Sequence, residues 1–193
     1  MRLTMHPLTA ERWTDFEAIF RSKGCSVARG CWCMFYRQSG PVPLPVGMTR
    51  AESNRLAIEA LVKGGETPGL IGYRDGSPVG WVSLGPREHY AKLRRSPVMK
   101  PVDGQSVWSI VCFVVPAPYR GQGVARALLD GAITFARRSG VRLLEAYPVD
   151  KPRRTYDEFM WFGAKSMFDA AGFKEVARRK PTRPVMRLKL RAS

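Results

Sequence analysis

Between residues 107 and 147 the chain passes from an unbroken apolar run, through a glycine-bearing turn, into an amphipathic segment and out to a second apolar run. Val107–Val115 (VWSIVCFVV) suits a central strand buried on both faces. Pro116–Gln122 reads as the turn, and Gly123–Ser139 as a helix whose apolar face is Val124, Ala127, Leu128, Ala132 and Phe135. Gly140 stops that helix, and Arg142–Tyr147 is another strand. A strand–turn–helix–strand unit of this length makes the two strands parallel, with a right-handed crossover. The fold class is therefore α/β (α+β): a sheet flanked by helices.

The flanking segments add elements to that unit. Thr9 is placed to cap a first helix in which Trp13, Phe16 and Phe20 fall three and four apart. Gly24–Met48, rich in Gly, Pro and Cys and carrying Trp32, Phe35 and Tyr36, reads as a long connection, either lining a binding site or folded onto the core. Thr49 and Glu52 form a capping box for a second helix, with Leu56, Ala57, Ala60 and Leu61 on its apolar face, ending at Gly64-Gly65. Gly69–Tyr73 and Pro78–Leu84 read as strands joined through Asp75-Gly76, a hairpin signal. Gly85–Gln105 is basic and proline-broken, hence a loop; Met160–Ala171 predicts a helix; Phe173–Ala177 and Val185–Leu190 predict a strand pair. Residues 1–48 are expected to belong to the same domain as the 49–193 core.

Composition narrows the function classes. Apolar residues make up 45% of 193, enough for a core that needs no metal or disulfide framework. No run of about 18 apolar residues occurs, so no membrane span is expected, and the acidic residues near the N-terminus do not suit a secretory signal; the expected compartment is cytoplasmic. Cys25, Cys31, Cys33 and Cys112 are expected as reduced thiols. Cys31-Trp32-Cys33 lacks the spacing and second ligand pair of a zinc site, so no metal is expected. The net charge of +16 attracts polyanions or phosphorylated ligands, and equally describes a solvated coat.

The chemistry is concentrated in Tyr119-Arg120-Gly121-Gln122-Gly123-Val124-Ala125. Gly121 and Gly123 remove two side chains where a helix begins, and the first N–H groups of that helix have no internal partner. With the dipole's positive end behind them, these amides suit a phosphate or diphosphate, and Arg120 adds charge at the rim. Such a turn can also serve only to pack a helix on a sheet. The segment is neither a nucleoside-triphosphate loop nor a Rossmann turn. It resembles the acyl-CoA signature of the GNAT superfamily of N-acetyltransferases, [Gln/Arg]-x-x-Gly-x-[Gly/Ala], standing here as Arg120-Gly121-Gln122-Gly123-Val124-Ala125 after a strand ending in Val115-Pro116. The resemblance runs from about Leu70 to the C-terminus.

That resemblance implies a mixed sheet splayed at its centre, acetyl-CoA as co-substrate, and an amine as acceptor. It implies that amides from Gln122 to Ala125 hold the CoA diphosphate, and that the edge Phe113-Val114-Val115 pairs with the pantetheine arm. A backbone N–H there would polarise the thioester carbonyl, worth roughly 3 kcal/mol in acyl-transfer sites. Family members often place a Tyr acid four residues before a C-terminal Gly-Phe; before Gly172-Phe173 that position is Phe168, so the role does not carry over. Glu145 and Tyr147, two apart on one face of the strand after the motif helix, are the candidate base and acid, with Asp150, Tyr156 and Tyr36 in reserve. Cys112, mid-strand and without a histidine partner, is a poor nucleophile.

Lys174, Arg178, Arg179, Lys180, Arg183, Arg187, Lys189 and Arg191 form a basic C-terminal cluster with no aromatic after Phe173, and Arg87 to Lys100 form another. Without stacking partners a solvated surface is expected and nucleic acid is not. The expected acceptor is a small-molecule amine ahead of a protein, handled by a monomer or homodimer. The competing expectation is a non-catalytic CoA-binding or nucleic-acid-binding module of the same fold.

Overall fold

The structure, a computed structural model, describes residues 3–40, 42–151 and 160–191. Seven strands form one sheet in the order β1-β2-β3-β4-β5-β7-β6. They are β1 Thr4–Pro7, β2 Gly69–Arg74, β3 Ser77–Pro86, β4 Trp108–Val114, β5 Leu143–Ala146, β6 Lys174–Lys180 and β7 Arg183–Lys189. β4 and β5 are parallel neighbours and the remaining pairs are antiparallel, which makes the sheet mixed. The helices are α1 Trp13–Arg21, α2 Ser26–Cys31, α3 Arg50–Lys63, α4 Ala91–Arg95, α5 Val124–Arg138 and α6 Lys165–Ala170.

Local signals act where they were read. The Thr49–Glu52 capping box forms in both directions at the start of α3. Asp75 and Gly76 take φ of 50° and 77°, the twisted turn that closes the β2–β3 hairpin. α5 buries Val124, Leu128, Leu129, Ala132, Ile133 and Ala136 on one face of the sheet, against Val82, Ile110 and Phe113. The other face carries Trp81, Cys112, Val114 and Tyr147, covered by Phe16 and Phe20 of α1, by Trp32, and by Ile58 and Val62 of α3. Phe20 and Trp32 stack at 5.0 Å, and Phe16 meets the edge of Trp81 at 4.7 Å.

Several expectations are corrected. The buried stripe of α3 is Asn54, Ile58 and Val62, and Leu56 faces outward. Asn54 is held inside because Gln38 donates to its Oδ1 at 2.9 Å and its Nδ2 donates to the Gly30 carbonyl at 3.1 Å. Two segments read as loops contain α2 and α4, and β1 was not anticipated. Thr9 precedes a short 3-10 turn, and its hydroxyl accepts from the Arg12 guanidinium in place of a backbone amide. The last helix begins at Lys165, after Met160–Gly163 run as irregular chain.

Of the C-terminal cations, Lys174, Arg178, Arg179, Lys180, Lys189 and Arg191 are exposed, as expected of a solvated surface, while Arg183 is half-buried. Arg178 pairs with Glu175 and Asp150. Arg179 donates to the carbonyls of Val98, Lys100 and Pro101, and Arg187 is buried. Among the described residues no helix is long and apolar enough to cross a membrane.

Candidate functional site

β4 and β5 are register partners only from Trp108–Leu144 to Ile110–Ala146. Beyond Ile110 the two strands part, and a cavity of about 430 Å³ opens along Val111–Val115. Its walls come from the turn into α2, from Cys33, Phe35 and Tyr36, from the start of α5, and from Met160 and Trp161.

At the mouth of α5, Gly121 and Gly123 take φ of 72° and 77°. This left-handed region costs another residue roughly 1–2 kcal/mol. A Cβ built at either glycine would meet no heavy atom within 4 Å, so the turn is bare on its outer side. No side chain caps α5, which begins directly from Gly123. The helix therefore presents its positive end at the cavity rim. Arg120, Gly121, Gly123, Val124, Ala125 and the strand residues Phe113, Val114 and Val115 all line the cavity.

Arg120 does not extend outward at the rim. Its Nε donates to the Val115 carbonyl at 3.0 Å, and another guanidinium nitrogen donates to the carbonyl of Gly24. The Ala117 amide adds a bond to Lys23 O at 2.9 Å, so the turn before α2 is tied to the glycine turn. Gln122 is not part of the cavity wall; it donates to Pro118 O at 2.7 Å and accepts from Arg74 at 2.8 Å.

On the parted edge of β4, the Phe113 amide donates to the Trp161 carbonyl at 2.6 Å. Because strand amides alternate in direction, the next one pointing out of the sheet on that side belongs to Val115. Phe168 lies beneath, fully buried between Phe113 and Phe173.

Glu145 of β5 and Tyr147, just past its end, do project to one side and meet, but neither lines the cavity. The Glu145 carboxylate is fully buried and accepts from Arg187 Nε at 2.7 Å, Tyr147 Oη at 2.7 Å and Arg87 at 3.3 Å. Ser109, the register partner of Glu145 on β4, lies 2.9 Å from Tyr147 Oη. Burial and the adjacent Glu145 charge push the Tyr147 phenol well above its ordinary value. Arg187 continues to Asp103 at the surface, and holds that carboxyl down at about 2.

Of the reserve residues, Tyr36 is on the cavity wall. Its ring meets Phe162 at 5.2 Å, and burial raises its phenol against the opposing effect of a hydrogen bond from the Trp161 side chain. Asp150 pairs with Arg178, and Tyr156 lies outside the described residues. Cys112 is free and its thiol is raised well above the usual range, first by its hydrogen bond to Cys33 and then by burial. The Cys31 thiol is pushed up to about 12, chiefly by burial. Of the two expectations for Gly24–Met48, both hold in part: residues from Gly24 to Tyr36 line the cavity, while Trp32 packs into the core.

No curated protein matches the chain. Solved structures share its fold at low identity. An acetyltransferase of the GNAT family from Streptococcus agalactiae aligns at TM-score 0.58 and 11% identity, covering 99% of this chain and 96% of that one. A ribosomal-protein-alanine N-acetyltransferase from Brucella melitensis gives 0.54 and 19%, covering 97% and 100%. The PaiA N-acetyltransferase of Thermoplasma acidophilum, solved with coenzyme A, gives 0.51 and 15%, covering 98% and 99%. The model of the acetyltransferase (GNAT) family matches residues 32–160, a span that holds the parted strands, the bare glycine turn and α5. With the match covering more than half of its length, the chain belongs to the acetyltransferase (GNAT) family.

Proposed function

We propose that this acetyltransferase moves an acetyl group from acetyl-CoA to a primary amine by direct attack in a ternary complex. The observation that carries the reading is continuity: the uncapped glycine turn of α5 opens into a cavity running along the parted edge of β4. One end suits a diphosphate, held by amides from Gln122 to Ala125. The other offers strand-edge amides at Phe113 and Val115 to an extended amide-bearing arm. Pairing there exchanges the Trp161 carbonyl for a ligand carbonyl at the Phe113 N–H.

The acceptor arrives mainly as ammonium and must lose a proton before attack. Among the described residues no Asp, Glu or His lines the cavity, so water is the acceptor of that proton in this reading. Glu145 and Tyr147 keep the fork of the sheet in place, with Glu145 engaged by two guanidinium groups. Tyr36 is the group placed to return a proton to the departing thiolate. Its oxygen accepts from the Trp161 indole, which can only donate, leaving the phenolic proton for the cavity. The aromatic wall of Phe35, Tyr36 and Trp161 favours a small-molecule amine over a protein terminus.

The test is calorimetric titration with acetyl-CoA, followed by a thiol-release assay over a panel of small amines and peptides. Micromolar binding with turnover on a small amine supports the reading. Binding without turnover on any acceptor favours a non-catalytic module, and absence of binding rejects the site.

A further inference from the structure

All four cysteines of the chain reach the wall of the same cavity. Two of them, Cys33 and Cys112, are brought together by Trp81. Trp81 pairs in register with Val114, and Ser83 with Cys112, so Trp81 and Cys112 are diagonal cross-strand neighbours on one face. The Trp81 indole donates to Cys33 Sγ at 3.2 Å, which brings that sulfur to the strand face that carries Cys112. Trp32 and Cys33 sit consecutively at φ of 46° and 56°, a backbone state that persists only where the surroundings enforce it. The Trp32–Phe20 stack and the Trp81 bond supply that enforcement. Cys33 is 5% exposed and Cys112 is 8% exposed, and both line the cavity.

We propose that Cys33 and Cys112 are a reversible dithiol–disulfide pair, oxidised by hydrogen peroxide through the open cavity and shielded when acetyl-CoA fills it. In the first step the Cys33 sulfur attacks a peroxide oxygen, the O–O bond breaks, and one water leaves, giving a sulfenic acid. In the second, the Cys112 sulfur attacks the Cys33 sulfur. The S–S bond forms, the S–O bond breaks, and the oxygen leaves as a second water with the Cys112 proton. Two thiols are oxidised by two electrons and one peroxide is reduced. Cys33 acts first because the Trp81 indole N–H fixes its sulfur in the cavity wall. Cys112 keeps its proton for the second step, consistent with the direction in which its thiol is shifted.

The disulfide would draw the segment carrying Phe35 and Tyr36 onto β4 and narrow the cavity. By linkage, a ligand that opposes the bond is bound more weakly once the bond has formed. The pairing stands on the Trp81 bridge and the common cavity wall; the shielding rests on the acyl-CoA reading of the cavity.

The experiment treats the reduced full chain with equimolar hydrogen peroxide, with and without saturating acetyl-CoA, then alkylates the remaining thiols. Non-reducing peptide mapping with fragmentation assigns the partners, and calorimetry measures acetyl-CoA binding to the same preparation. The expected product joins Cys33 to Cys112, has lost two hydrogens, reverts with dithiothreitol, and forms about tenfold more slowly with acetyl-CoA bound. In Cys112→Ser, a sulfenic acid at Cys33 should be trapped by dimedone. Both thiols alkylated after peroxide, or Cys33 joined to Cys31, overturns the pair. Equal oxidation with acetyl-CoA demonstrably bound overturns the shielding. A Cys33–Cys112 disulfide in a protein that binds no acetyl-CoA supports the pair and overturns the reading of the cavity.

Discussion

Glu145 and Arg187 are register partners on β5 and β7, and the Arg187 Nε donates to the Glu145 carboxylate at 2.7 Å in the middle of the sheet. Ser109 flanks Glu145 on the other side, so β4, β5 and β7 are bound together by side chains at the level where β4 and β5 still touch. One strand turn further on, those two strands have separated. The cluster therefore lies at the base of the fork, and its composition gives the first prediction.

Glu145→Gln leaves buried Arg87 without its counter-charge and Arg187 with Asp103 alone; removing one partner of a buried pair costs about 3–5 kcal/mol. We expect the urea midpoint to fall accordingly, while acetyl-CoA affinity and the shape of the pH–rate profile stay as in the parent. An unchanged midpoint together with a lost pH limb would return the carboxylate to the role of base.

Asp103 marks the outer end of the same network. Arg187 lowers its carboxyl from 3.8 to about 2, so its contribution is present above the unfolded value and lost as pH falls through the folded one. Melting temperatures of the parent should drop from about pH 4 downward. Asp103→Asn should be less stable at neutral pH and should show a shallower acid decline, seen by comparing the two Tm–pH curves.

Gly123 supplies the test of the proposed cofactor turn. Gly123→Ala should cost roughly 1–2 kcal/mol of stability through its positive φ and weaken acetyl-CoA modestly. Gly123→Glu, with a carboxylate facing the diphosphate, should weaken binding by more than about tenfold in calorimetry. Equal affinity in all three proteins would remove this turn from the binding site.

Tyr36→Phe should lower kcat by about ten- to a hundredfold with little change in acetyl-CoA affinity, as expected for a lost acid. A thiol with a low pKa, used as the leaving group of an activated acyl donor, should recover part of that loss. Parent-like kcat with ordinary acetyl-CoA would assign the phenol a packing role only.

Much of the fold was legible because its signals are local. The Thr49–Glu52 box, the Asp75-Gly76 turn and the strand–glycine–helix unit each depend on residues a few positions apart. What escaped depends on distant partners. Asn54 reads as a surface residue until Gln38 and Gly30 are brought to it, and Arg187 reads as surface charge until Glu145 is placed beside it. Glu145 and Tyr147 were correctly read as sharing a face, but alternation along a strand cannot say that two arginines wait there. Cys33 and Tyr36 could be noticed only as part of an aromatic, cysteine-rich stretch; the fold alone brings that stretch over β4.

Arg120 and Ala117 clasp the backbone of Lys23 and Gly24, where an added Cβ would come within 2.8 Å of Ala117. The N-terminal aromatic layer and the glycine turn of α5 are thereby one mechanical unit, although the family match begins only at residue 32. Order imposed on that turn by a bound anion would travel backward along the chain, and amide exchange in α1 should slow in step with ligand occupancy.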